Sequence, residues 1–66
     1  METLGDALPI EQQRVRELLE IYASIPSGAF AASMMRKSLA RAERASASGD
    51  VVEMLAAYRE LQGYSE

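Results

Sequence analysis

The sequence contains no cysteine, no histidine and no tryptophan. Without cysteine, the chain has no disulfide, no zinc–thiolate site and no thiol nucleophile. Without histidine, it lacks the commonest general base and the commonest metal ligand. Its serine hydroxyls have no such base to activate them, and its single lysine, Lys37, lies on a polar face among other bases. We therefore expect no enzymatic activity, no metal site and no cofactor.

Long hydrophobic runs and sorting signals are also missing from the sequence. The first eight residues have neither the basic nor the apolar region of a signal peptide. No apolar run approaches the roughly 20 residues that a membrane-spanning helix needs. We expect a cytoplasmic protein with no membrane partner.

What the chain does contain is typical of one small globular domain over residues 1–66. Hydrophobic residues make up 48% of the 66 residues, charged residues make up 26%, and the net charge is −3. Apolar residues recur at helical spacing, and none of the segments alternates with a period of two. The pattern predicts helices over 10–24, 27–48 and 50–62, preceded by a flexible arm at 1–8.

Local signals set these predicted boundaries. Pro9 suits the first turn of a helix, where its missing N–H is not needed. Ser27 is a good N-cap for the second helix, and Gly49 can take the left-handed conformation that ends it. Asp50 and Glu53 form an acidic version of the capping box for the third helix.

Each predicted helix carries one apolar stripe, as expected for helices that pack on one another. The sequence therefore predicts an all-α fold, either a small antiparallel three-helix bundle or a helical hairpin with a short N-terminal helix. The predicted core consists of Val15, Leu18, Leu19, Tyr22, Phe30, Met34, Leu39, Val51, Met54, Leu55, Tyr58 and Leu61.

A core of this size, without disulfides or metal, is marginal for a chain of this length. Self-association is the remaining route to stability, and we expect a homo-oligomer, with a dimer favoured. Ile10 and Ile21 lie eleven residues apart on one flank of the first helix, which predicts a subunit interface there together with the alanine-rich end of the second helix. The alternative is that Ile10 packs under the N-terminal arm and Ile21 is simply exposed.

The charges are distributed unevenly along the chain. Residues 27–49 contain four bases and one acid, a net +3, whereas 1–26 and 50–66 each carry −3. Lys37, Arg41 and Arg44 share one helical face, with Arg36 beside them. One interpretation is a docking face for an acidic protein or an anionic small ligand. The other is surface pairing with glutamates of the neighbouring helices, namely Glu17, Glu20, Glu53 and Glu60. DNA reading is not expected, because the third helix carries a single base, Arg59.

The turn before the second helix is a second candidate for anion binding. Ser27 and Gly28 open that helix, where free N–H groups can hold a phosphate or carboxylate. An ordinary helix N-terminus with a glycine in its first turn explains the same residues.

Two stretches resemble small uncharacterised proteins of bacteriophage and prophage genomes. These are 28–35 (GAFAASMM) and 47–55 (ASGDVVEML), and the resemblance covers about residues 10–62. It implies a phage accessory protein that binds and blocks a host factor, in some cases a defence system, within the host cytoplasm. The alternative function is an oligomeric sponge for an anionic ligand such as a nucleotide messenger. The resemblance assigns no site residues.

Overall fold

The computed structural model describes residues 3–65 and contains three α-helices in that range. They are α1 (Leu4–Ala23), α2 (Ala29–Ser48) and α3 (Val51–Gln62), with a short 3₁₀ turn at Pro26–Gly28 between α1 and α2. Each helix packs against the other two, and the described residues contain no strand. The all-α three-helix bundle predicted from the sequence is confirmed.

The first helix begins earlier than predicted. Thr3 caps it, since its Oγ1 accepts a hydrogen bond from the backbone N–H of Asp6 at 3.3 Å. Leu8 is completely buried, because it lies on the same face of α1 as the other core residues. The predicted arm is therefore wrong from residue 4 onward, and its first two residues lie outside the described range. Pro9 lies inside α1, not in its first turn. The N-terminal helix is as long as α2.

The start of α2 also differs from the prediction, whereas its end and the end of α3 agree with it. Ser27 lies within the 3₁₀ turn, and Gly28 takes the N-cap position without a side-chain hydrogen bond. Gly49 adopts the left-handed conformation with φ of 72°, as predicted. Gly63 follows the last residue of α3 as its C-cap. Ser27 is therefore wrong as the N-cap of α2.

Only the first half of the predicted α3 capping box forms, namely the hydrogen bonds to the Asp50 side chain. The Asp50 carboxylate accepts hydrogen bonds from the N–H groups of Val52 and Glu53, at 3.0 and 3.2 Å. The carboxylate of Glu53 does not return to Asp50, because it accepts a hydrogen bond from Arg41 on α2 instead. The N–H of Asp50 donates to the Ser48 hydroxyl.

The core lies along the bundle axis and is rich in alanine. Its buried apolar residues are Leu8, Val15, Leu18, Ala32, Met35, Leu39, Ala42, Ala45, Ala57 and Leu61. Further predicted core residues pack against this cluster while partly exposed, namely Leu19, Tyr22, Met54 and Tyr58. The small alanine side chains on the buried face of α2 allow the neighbouring helices to approach it closely.

Four predicted core residues are exposed, and the prediction is wrong for them. Phe30 is 79% exposed, Val51 67%, Leu55 40% and Met34 39%. On α2 the buried stripe is rotated away from Phe30 and Met34 and follows Ala32, Met35, Leu39 and Ala42 instead.

The residues after α3, which we call the C-terminal strap (63–65), are bound to α1. Arg14 donates hydrogen bonds to the carbonyl oxygens of Leu61 and Tyr64, both at 2.9 Å. The Tyr22 hydroxyl donates to the Ser65 carbonyl at 2.9 Å. The Tyr64 hydroxyl also shares a hydrogen bond of 2.7 Å with the Ser38 hydroxyl of α2. Neither the strap nor the 12-residue α3 covers the flank of the 20-residue α2 that carries the exposed Phe30.

Candidate functional site: the outer face of α2

Five side chains line one face of α2, which we call the α2 face: Phe30, Met34, Lys37, Arg41 and Arg44. Their spacings of four, three, four and three residues align them along the helix. The two apolar residues come first along the chain, and the three bases follow. At about 1.5 Å per residue the face is roughly 21 Å long.

Within residues 3–65, Arg41 is the one base of this face that is paired with acids. Its guanidinium lies 3.3 Å from a carboxylate oxygen of Glu53 and 3.1 Å from one of Glu60, both on α3. Hydrogen bonds to Glu53 and Glu60 raise the pKa of the Arg41 guanidinium. For Arg41, pairing with neighbouring glutamates is therefore the arrangement observed. The contacts also show that the α2 face borders α3.

Lys37 and Arg44 differ from Arg41 in their surroundings. Both are exposed, and neither makes an ion pair within residues 3–65. Arg44 borders a shallow groove between α2 and α3 that Arg41 and Glu53 also line. The α2 face therefore carries two positive charges that form no ion pair within residues 3–65, beside an arginine that two glutamates of α3 already bind.

Arg36 lies apart from this face. It is exposed, but it is one residue from Lys37, and one residue corresponds to a rotation of about 100° around a helix. Arg36 and Lys37 are therefore adjacent in the sequence but do not lie on the same face of α2. Arg36 stays a predicted contact residue on a different side of α2.

The turn at Ser27 and Gly28 has a structural explanation for its glycine. Gly28 is buried against α1, and a Cβ atom there would overlap the Tyr22 carbonyl oxygen and lie 3.1 Å from the Tyr22 Cα. Ser27 is exposed. The close approach of two backbones thus accounts for Gly28 without an anion, and the anion site stays a prediction.

The predicted oligomer residues are both on the surface of α1. Ile10 is 60% exposed and Ile21 is 46% exposed. Ile10 is not packed under an N-terminal arm, because the residues before it belong to the same helix. Ile21 borders a second shallow groove, with Glu17 of α1 and Ser65 of the strap. Both residues are available for association, and the interface stays a prediction.

Sequence reasoning missed the apolar half of the α2 face, because it placed Phe30 and Met34 in the core. The lengths of the predicted helices already contained a signal, since the predicted third helix, 50–62, is much shorter than the predicted second helix, 27–48. In the structure the 12-residue α3 leaves the N-terminal end of the 20-residue α2 uncovered on this flank.

Other chemistry finds little support among the described residues. Residues 3–65 contain no group of three or more acidic side chains placed to hold a metal ion. No helix among them combines the length and the hydrophobicity needed to cross a membrane. In comparisons with protein-family models, curated proteins and solved structures, nothing matches this chain.

Proposed function

We propose that this chain is a non-catalytic protein-binding module that docks an acidic partner on the α2 face. One observation carries the proposal. Phe30, a large aromatic side chain, is 79% exposed on the same helical face as Lys37 and Arg44, two cations that form no ion pair with the residues the structure describes. Aromatic residues and arginine are enriched at protein interfaces relative to the rest of the surface.

A protein partner fits this surface better than a small anion does. The face extends over roughly 21 Å at the helical rise, and its apolar and basic parts lie at opposite ends. Small-ligand sites are concave pockets that bury most of the ligand. The groove beside the face, lined by Arg41, Arg44 and Glu53, is too shallow to enclose a small ligand. The sponge for an anionic messenger has no comparable support.

The biological setting of the proposal follows from the resemblance to phage and prophage accessory proteins. In that setting the module acts in the host cytoplasm and blocks a host factor by occupying one of its surfaces. Host-defence components are candidate targets. Blocking requires only binding, which is consistent with a chain that lacks histidine and cysteine.

Self-association through α1 is part of the proposal. Ile10 and Ile21 are exposed on the same flank of α1, and the core of this small domain is rich in alanine. A dimer that covers both isoleucines removes apolar area from water. Light scattering at micromolar concentration should detect a dimer, and the variant with Ile10→Asp and Ile21→Asp should be monomeric. A parent protein of 7.2 kDa in solution would refute this part.

The binding proposal is tested by comparing capture from host lysate by the parent protein and by three single variants. Lys37→Glu and Arg44→Glu alter the α2 face, whereas Arg59→Glu makes the same charge change on the exposed side of α3. We expect one host protein to be captured by the parent and by Arg59→Glu, and to be lost with both α2 variants. Equal capture by all four proteins would refute the proposal, provided that their melting temperatures agree.

A further inference from the structure

We propose that the partner presents an amphipathic helix that lies antiparallel to α2, with two carboxylates in its first half and two large apolar side chains in its second half. This inference rests on the proposed function, since it names the chemistry that occupies the α2 face. It commits to the orientation and residue order of the partner helix, which binding alone does not specify.

The spacing of the α2 face is that of a helix-packing seam. Its residues repeat at four and three positions, which is the spacing of the contact positions in a coiled coil, with two apolar residues followed by three bases. The face lies on a helix of 20 residues, long enough to support a partner helix of several turns. Its uncovered apolar end, Phe30 and Met34, offers the hydrophobic contact that such packing requires.

The charges along the seam fix the complementary sequence. Lys37 and Arg44 are seven residues apart, about 10 Å along the axis. Carboxylates seven residues apart on a facing helix would meet both cations. Met34 and Phe30 continue the seam three and seven residues beyond Lys37. Read from the N-terminus of an antiparallel helix, the pattern is acidic, six residues, acidic, two residues, apolar, three residues, apolar.

The antiparallel direction is favoured by helix electrostatics. Carboxylates stabilise the first turns of a helix, where the backbone dipole is positive. An antiparallel partner places this acidic beginning beside Arg44 and Lys37, in the second half of α2. In a parallel partner the acidic residues would lie at its own C-terminal end, where the dipole opposes them.

The bundle already contains one example of this recognition. α3 follows α2 through a tight turn and packs against it, and two glutamates seven residues apart, Glu53 and Glu60, both bind Arg41. The proposed helix likewise presents two carboxylates seven residues apart, but one meets Lys37 and the other meets Arg44. A second copy of this chain does not fit, because none of the helices within residues 3–65 carries the full acidic–acidic–apolar–apolar pattern.

The test uses two synthetic alanine-based peptides of about 18 residues, long enough for roughly five helical turns. One carries the pattern with glutamate and leucine, and the other carries the same residues in reverse order, which is the complement for parallel docking. Circular dichroism establishes that their helicities match. Binding to the full chain is measured by fluorescence anisotropy at low salt. We expect the forward peptide to bind at least about tenfold more tightly than the reversed peptide.

Variants of the full chain locate the bound peptide. We expect Lys37→Glu and Arg44→Glu to weaken binding of the forward peptide by about five- to tenfold each, since each change replaces an attraction with a repulsion. Phe30→Ala should weaken it without changing its salt dependence. Arg59→Glu, the matched charge change outside the face, should leave the affinity within about twofold of the parent.

Equal binding of the two peptides would overturn the antiparallel orientation. Failure of both peptides to bind, while the captured host protein still depends on Lys37 and Arg44, would overturn the helix and leave the proposed function in place. If the host protein is lost only on Arg59→Glu, the proposed function fails together with this inference.

Discussion

Replacement of Gly28 by alanine tests the closest contact between two elements of the fold. The backbone of Gly28 has φ of −92° and ψ of 0°, which alanine can adopt, so the conformation itself does not require glycine. Space does. A Cβ atom would overlap the carbonyl oxygen of Tyr22 and lie 3.1 Å from its carbonyl carbon. These are backbone atoms near the end of α1, which cannot rotate away as a side chain could.

The expected cost follows from this geometry. Accommodating an extra methyl group against rigid neighbours typically costs about 1–3 kcal/mol. For a domain of this size each kcal/mol lowers the melting temperature by about 4–8 °C. We therefore expect Gly28→Ala to melt about 5–20 °C below the parent, with a parallel fall in the urea midpoint.

Gly5→Ala is the matched control. A Cβ atom at Gly5 would have Thr3 Oγ1 as its nearest neighbour, at 3.7 Å, which is an ordinary contact. Gly5 lies in the first turn of α1, where alanine favours the helix. We expect Gly5→Ala to melt at or slightly above the parent temperature. A Gly28→Ala protein that melts like Gly5→Ala would refute the packing explanation of this glycine.

Three further predictions concern stability and the strap. Leu61→Ala should lower the free energy of unfolding in urea by about 2–5 kcal/mol, because Leu61 is completely buried. Leu55→Ala should lower it by about 1 kcal/mol or less, because Leu55 is 40% exposed. Equal losses would contradict the observed core. Asp50→Ala should lose about 1 kcal/mol by thermal melting and Asp50→Ser should lose less, since serine also caps helices. Arg14→Ala should loosen the strap, which Tyr22 and Ser38 still bind, and increase hydrogen exchange at Tyr64, whereas exchange equal to that of the parent would show that Arg14 does not hold it.

Helix content and the α2–α3 junction were predictable because their signals are local. Gly49 and Asp50 act within a few residues of themselves, and the structure places both as predicted. The beginning of α1 was missed because Thr3 was not considered as a cap, although its hydroxyl is a strong N-terminal signal. The exposure of Phe30 was missed for a different reason. It depends on where α3 ends, which is a property of the assembled bundle.

The basic part of the α2 face could be predicted from the sequence, whereas its apolar part could not. The shared face of Lys37, Arg41 and Arg44 follows from spacing alone. The choice of Arg41 as the partner of both Glu53 and Glu60 depends on how α3 is rotated about its axis, which the sequence pattern leaves open. The hydrogen bonds from Arg14 to the strap were not foreseen, since backbone carbonyl acceptors leave no mark in a sequence.

The bonds from Arg14 to Leu61 and Tyr64 join positions 47 and 50 residues apart in the chain. Neighbouring helices meet across short turns, so the pairs α1–α2 and α2–α3 close small loops, whereas these bonds from Arg14 close loops of 47 and 50 residues. The entropy lost in closing a loop grows with its length. We therefore expect these bonds to form late in folding, after both helix pairs. Their loss would then speed unfolding and leave the folding rate almost unchanged.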